Sequence, residues 1–294
     1  MPGQRSAVIF AWILLIPALA YVAAIVAYPL LQTINLSFTN ASLRKTTDYI
    51  GWANYQKIFD PEFAAIIGRT FLWTFLSVSI KMIVGTGGAM LLNAALPGRA
   101  LFRILTMPPW IVPMAIGIFM WGWMYNGQFG MISGLLQRFH IVDGPVAFLA
   151  YGNTAFWATI VTDVWIGVPM VTMYMLAAIQ SVPHDLHEAA WTDGASRFYR
   201  MRRITLPMIF PAAITMSMIS LISTFNSFDP IWILTQGGPS GSTTTMIIDT
   251  YSTALGSKKF GEGAARAVVI CLFLSAFALL YFRAVTKLSK RMTS

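Results

Sequence analysis

The chain has 294 residues, of which 56% are hydrophobic and only 11% charged, with a mean hydropathy of +0.65. A soluble domain carries about 25% charged residues, so this composition excludes a water-solvated globule and requires lipid as solvent. The formal charge of +9 would suit nucleic acid, but its placement along the chain points elsewhere.

Six apolar stretches are long enough to cross the roughly 30 Å hydrocarbon core as helices of about 20 residues. They are expected near 7–31, 70–96, 103–125, 154–180, 206–235 and 263–283, within a single domain covering 1–294. Continuous apolar runs favour helices over the alternating strands of a barrel. The expected fold class is therefore an all-α membrane protein with six transmembrane helices. The first stretch follows Arg5, and its uncharged run from Ser6 to Leu43 far exceeds a signal-peptide core, so it is read as a retained helix. With the N-terminus inside, segments 1–6, 97–103, 181–205 and the tail from 283 face the cytoplasm. These short segments hold 11 of the 20 Lys and Arg residues. The positive-inside rule then puts both termini in the cytoplasm, and the basic charge reports topology, with no nucleic-acid partner.

In the second stretch Lys81 is an intramembrane charge, and Gly85-Thr-Gly-Gly88 reads as close helix packing through small residues. In and after the third, Trp121, Trp123 and Tyr125 are expected in an outer aromatic belt. The fourth carries Asp163. A buried charge is a functional candidate by default. Lys81 and Asp163 can neutralise each other, or Asp163 can lie near water at the outer end.

Between the fourth and fifth stretches lies a charged loop, Glu188 to Pro207. Pro183 suits the first turn of a helix, with Asp185 and Glu188 near its positive end. Gly194 permits a turn into a second short helix carrying Arg197, Arg200, Arg202 and Arg203, and Leu206-Pro207 opens the next span. The segment is read as a helix–turn–helix bracket on the membrane surface. Basic loops commonly rest on lipid headgroups, which accounts for the arginines but not for Glu188, Ala189, Ala190, Asp193 and Gly194 in that order.

The fifth stretch contains Ser223-Thr-Phe-Asn-Ser-Phe-Asp-Pro230. Sugars are recognised by short polar groups and aromatic rings, both present here. Asn226 and Asp229 are three apart and are expected on one helical face, with Ser227 beside them and a kink at Pro230. Helix–helix contact through hydroxyls and amides is the competing reading. Outer segments 32–69, 126–153 and 236–262 suit transient docking of an external protein. The basic tail (Arg283, Lys287, Lys290, Arg291) suits anionic lipid.

Absences restrict the chemistry. No phosphate-binding G-x-x-x-x-G-K-[ST] loop occurs, nor a nucleophile elbow or a paired-carboxylate arrangement. Cys271 is the single cysteine, and His184 and His187 lack a third metal ligand, so no metal site is expected.

Glu188-Ala-Ala-Trp-Thr-Asp-Gly-Ala195, followed by Ile204-Thr-Leu-Pro207, resembles the EAA motif of ATP-binding-cassette importer permeases. Gly51-Trp-Ala-Asn-Tyr55, Ala178-Ile-Gln-Ser-Val-Pro183 and Ile231-Trp-Ile-Leu-Thr-Gln-Gly-Gly-Pro239 are similar to segments of the carbohydrate-uptake branch, that of the maltose importer's membrane subunits. The resemblance implies a multi-pass permease of a bacterial or archaeal inner membrane, forming half of a pore with a second permease subunit. It implies two cytoplasmic ATPase subunits, which bind the ATP and magnesium, and an extracytoplasmic sugar-binding protein. This chain would hold no cofactor and catalyse no reaction. Glu188, Ala189, Ala190, Asp193, Gly194, Leu206 and Pro207 would couple to the ATPase. Asn226, Ser227 and Gly167 would approach the sugar, with Asp229 added from the polar string. Met170 departs from a tyrosine in the maltose-importer subunit, which leaves the sugar open. Two alternatives stand beside this. The same machinery could carry glycerol phosphates or polyols. A self-sufficient secondary transporter would need a coupling-ion site and would leave the bracket unexplained.

Overall fold

The computed structural model describes residues 2–43, 47–58, 60–94 and 97–292, and their side chains except for 2–9, 99 and 284–292. Helix α1 (Pro2–Val22) passes through a π turn (Ala23–Ala27) into α2 (Tyr28–Ser37). Short α3 (Ala53–Ile58) precedes the long α4 (Pro61–Asn93). Three short helices follow: α5 (Arg99–Thr106), α6 (Pro108–Ile111) and α7 (Met114–Met124). Next come α8 (Met131–Arg138), α9 (Gly152–Gln180), α10 (His184–Thr192) and α11 (Arg197–Arg200). Helix α11 runs through a second π turn (Met201–Thr205) into α12 (Leu206–Phe225). Beyond it lie α13 (Asp229–Thr235), α14 (Met246–Tyr251), a third π turn (Ser252–Gly256) and α15 (Phe260–Met292). No strand occurs among the described residues.

Among the described residues, five helical stretches are long and apolar enough to cross a membrane: Phe10–Ser37, Pro61–Asn93, Gly152–Gln180, Arg197–Thr235 and Phe260–Arg283. The stretch expected at 103–125 differs, because it is not one helix. Pro108, Pro109 and Pro113 each lack an N–H and crowd the preceding turn. The chain therefore restarts at α6 and α7, with Val112 and Pro113 extended at ψ of 133° and 127°. Its longest apolar piece is Met114–Met124.

Prolines also explain the first two π turns. The ring of Pro207 would collide with the carbonyl four residues back. The Leu206 N–H instead reaches five residues back, to the Met201 carbonyl, and the widened turn carries the helix past the proline. The same device precedes Pro29, where the Tyr28 N–H reaches the Ala23 carbonyl.

Contacts group the chain into two compact units: Met1–Ala64 with Asp249–Phe273, and Ala65–Ile248 with Leu274–Ser294. In the first, side chains of α1 and α2 from Phe10 to Leu31 are exposed all round, as befits an apolar helix whose solvent is lipid. The Gly51–Tyr55 motif has a structural role there. The Asn54 amide donates to the Ser37 and Thr39 carbonyls at 2.8 Å each, and Phe38 packs against Tyr49, Trp52 and Tyr55. Arg266 pairs with both Asp249 and Glu262. Burial pushes the Asp249 carboxyl up against the pull of Arg266.

In the second unit α4 packs closely on α9. A Cβ at Gly85 would lie 2.5 Å from Val171 Cγ1, and one at Gly88 would lie 3.2 Å from Thr172 Oγ1, so the glycine cluster sits where the two helices approach closely. Val171, Met175, Ile209 and Met216 form one buried cluster, and Trp73, Ile160, Ile231 and Ile248 another.

Candidate functional site

The bracket is built as its residues dictate, with one difference. Pro183, extended at ψ 130°, precedes α10, and Asp185 lies in the first turn. Gly194, at φ +79°, adopts the left-handed conformation that closes α10. Its N–H reaches the Trp191 carbonyl at 2.9 Å and the Ala195 N–H reaches Ala190, also at 2.9 Å, the bond pair of a Schellman stop. Ser196 then caps α11 by accepting from the Tyr199 N–H at 3.2 Å. The Arg200 guanidinium donates to the His187 carbonyl at 3.3 Å and ties the two arms together. The difference is that the second arm is not a separate short helix. It runs from Arg197 through the π turn and Leu206-Pro207 into α12 without a break.

On the bracket's surface Glu188 is exposed and paired with His184 within α10, at 3.1 Å. Ala189 is exposed and Ala190 half-buried. Leu186, Trp191, Phe198 and Tyr199 are exposed, Trp191 to 70%. Apolar side chains are thus exposed on an otherwise polar segment.

The far end of α12 meets a buried polar node. Lys81 on α4 and Asp163 on α9, each 5% exposed, form an ion pair at 2.5 Å. Lys81 Nζ also donates to Thr224 Oγ1 at 3.0 Å, and the Ser227 hydroxyl donates to the other Asp163 oxygen at 3.4 Å. Asp163 is thus paired rather than open to water. Gly167 adjoins the node, since a Cβ there would lie 2.6 Å from Lys81 Cε. Sequence reasoning does not single out Thr224 within the Ser223–Pro230 string, because nothing local tells which distant group its hydroxyl meets.

The expectation that Asn226 and Asp229 share a helical face is corrected. Helix α12 ends at Phe225 and α13 begins at Asp229. The Pro230 ring would strike the Asn226 carbonyl in a continuous helix, whereas in the first turn of α13 its missing N–H costs nothing. Asn226 is exposed and turns its amide back to the Ile222 carbonyl at 3.0 Å. Asp229 is half-buried.

The aromatic belt is also corrected. Trp123 is 72% exposed, but Tyr125 is buried, donating to the Ala158 carbonyl at 3.0 Å, and Trp121 packs on Tyr125 and Trp165. A phenol that finds a partner on α9 gains more from the interior than from the interface. The side chains of Lys287, Lys290 and Arg291 in the basic tail lie outside the described residues.

Residues 82–294 match the family described as binding-protein-dependent transport system inner membrane component. A probable ABC transporter permease of Brucella suis is 30% identical over 278 residues, covering 94% of this chain and 96% of that protein. The trehalose/maltose transport system permease protein MalF of Thermococcus litoralis is 32% identical over 275 residues, covering 92% of each. Among solved structures, the chain is similar to one from a bacterial alginate ABC transporter in complex with its alginate pentasaccharide-bound periplasmic protein. The TM-score is 0.81 at 20% identity, covering 99% of this chain and 96% of that one. The chain therefore belongs to the binding-protein-dependent transport system inner membrane components and is a multi-pass permease subunit of the ABC transporter class.

Proposed function

We propose that the chain is one of two membrane subunits of an ATP-driven importer for a sugar. Cargo comes from an extracytoplasmic binding protein, and work comes from two cytoplasmic ATPase subunits that hold the ATP and magnesium. The name of the Thermococcus litoralis relative, a trehalose/maltose permease, supports a saccharide cargo. Both termini face the cytoplasm, and α5 to α7 together make the third of six crossings.

The observation that carries this reading is the unbroken run from α11 into α12. It ends one residue beyond Thr224, whose hydroxyl binds Lys81 in the buried node. Glu188, Ala189, Ala190, Asp193 and Gly194 form a docking element for the ATPase cleft, and Leu206 and Pro207 pass its motion onward. Glu188 exchanges His184 for a basic group on the ATPase. Rocking of the bracket would then reach the break at Asn226–Phe228, where Asn226, Ser227 and Asp229 meet cargo during alternating access. Gly167 offers only backbone to the cargo, because Lys81 fills the side-chain direction.

An anionic cargo such as a glycerol phosphate needs an uncompensated cation along its path. Lys81 is neutralised by Asp163, which favours a neutral saccharide.

The test is purification with neighbouring subunits and uptake in proteoliposomes. An ATPase subunit should co-elute, and Glu188→Lys should abolish coupled hydrolysis and uptake. Uptake that persists without any ATPase overturns the reading. A binding screen on the partner binding protein then identifies the sugar.

A further inference from the structure

A second feature of the bracket is not used by the coupling mechanism. Behind it lies a cavity of about 440 Å³. The ends of α4 and α9 contribute Asn93 and Gln180, α10 contributes His184 and His187, α11 contributes Arg197 and Arg200, and the π turn contributes Thr205. Among the described residues no carboxylate lines it. The nearby Glu188 is engaged by His184. Arg200 spends one donor on the His187 carbonyl, and its Nε is buried with no hydrogen-bond partner. Arg197 stands one turn before Arg200, so both guanidiniums serve one face of the helix.

A guanidinium N–H buried without an acceptor is costly, and two guanidiniums without a counter-ion form an anion site. The neutral donors and acceptors around them suit hydroxyl groups rather than a second charge. The volume lies in the range of small-molecule sites, about 300–1,000 Å³.

We propose that this cavity binds a phosphate ester on a hydroxylated carbon frame. The phosphoryl group lies against Arg197 and Arg200, and the hydroxyls lie against Asn93, Gln180 and Thr205. Such a ligand bridges α4 and α9 to both arms of the bracket and so restrains the element that receives the ATPase's motion. The chemistry is shared by a soluble sugar phosphate and a phospholipid headgroup.

The test uses the full chain in phosphatidylcholine nanodiscs, titrated calorimetrically with glucose 6-phosphate, inorganic phosphate and glucose. Glucose 6-phosphate should bind saturably and more tightly than inorganic phosphate, and glucose should not bind. Arg197→Gln should weaken the ester on the order of tenfold, the loss of one charge-assisted contact. Arg197 is exposed, so an unchanged Tm separates this loss from unfolding. In a second arm, nanodiscs contain phosphatidylglycerol. Displacement of glucose 6-phosphate by that lipid, or lipid retained in native mass spectra and lost in Arg197→Gln, assigns the site to a headgroup and upholds the phosphoryl chemistry. Absence of both ligands, or binding unaltered by Arg197→Gln, overturns the proposal.

Discussion

At Gly167 the space for a side chain is already taken by the stem of Lys81, whose Cε and Cδ would lie 2.6 and 2.8 Å from a Cβ there. Gly167→Ala should therefore cost about 1–3 kcal/mol, the usual penalty for overpacking, measured by thermal unfolding in detergent. Lys81 itself is held by Asp163 and Thr224. Lys81→Met leaves a carboxylate buried without a counter-ion and should cost about 3–5 kcal/mol, whereas Lys81→Met with Asp163→Leu should restore most of that stability. Restoration failing in the double variant would show that the node does more than neutralise charge. The pairing of Lys81 with Asp163 is only one of the readings the sequence leaves open, because two opposite charges in apolar helices have few other partners but their depth and facing are not written locally. The reason for Gly167 is not legible in the sequence, since nothing local tells which distant side chain will fill its space. Tyr125 illustrates the same limit. A tyrosine near an expected helix end reads as interfacial until the Ala158 carbonyl is found within reach of its hydroxyl.

Helices show where sequence patterns compete. The length of the apolar runs places α9, α12 and α15 close to where they lie and α4 within its own helix, though that helix begins earlier, at Pro61. Run length gives proline too little weight. Pro108, Pro109 and Pro113 divide the third stretch, and Pro230 divides the fifth at Asn226. Both divisions follow from the missing N–H and the clash with the preceding turn, so they were available to a reading that ranked sterics above hydropathy. The π turn before Pro207 shows the opposite outcome, in which a widened turn lets the helix continue. At Gly194 the cost is purely conformational, since φ is +79° and a Cβ would meet nothing within 4 Å. Gly194→Ala should destabilise the bracket by about 1 kcal/mol and Gly194→Asn by less, because Asn tolerates the left-handed region. Proteolysis of the bracket in the purified chain, compared between these variants, reads that order. Equal cleavage would mean that the turn does not depend on residue 194.

For the whole chain, coupling depends on how a surface element addresses a buried one. The bracket's exposed face, the unbroken α11–α12 run and the Lys81–Asp163 node all lie in one compact unit of the permease. A helix transmits displacement because its backbone bonds are local and stiff, whereas a flexible joint absorbs it. The proposed function makes the bracket the meeting point with an ATPase, and the unbroken run from α11 into α12 would supply the path inward. The most direct measurement inserts two glycines between Met201 and Arg202 and compares ATP hydrolysis with sugar uptake by the reconstituted transporter. With the joint softened, the complex should still assemble and hydrolyse ATP while uptake falls to background. Uptake at the wild-type level would contradict transmission through α11 and α12.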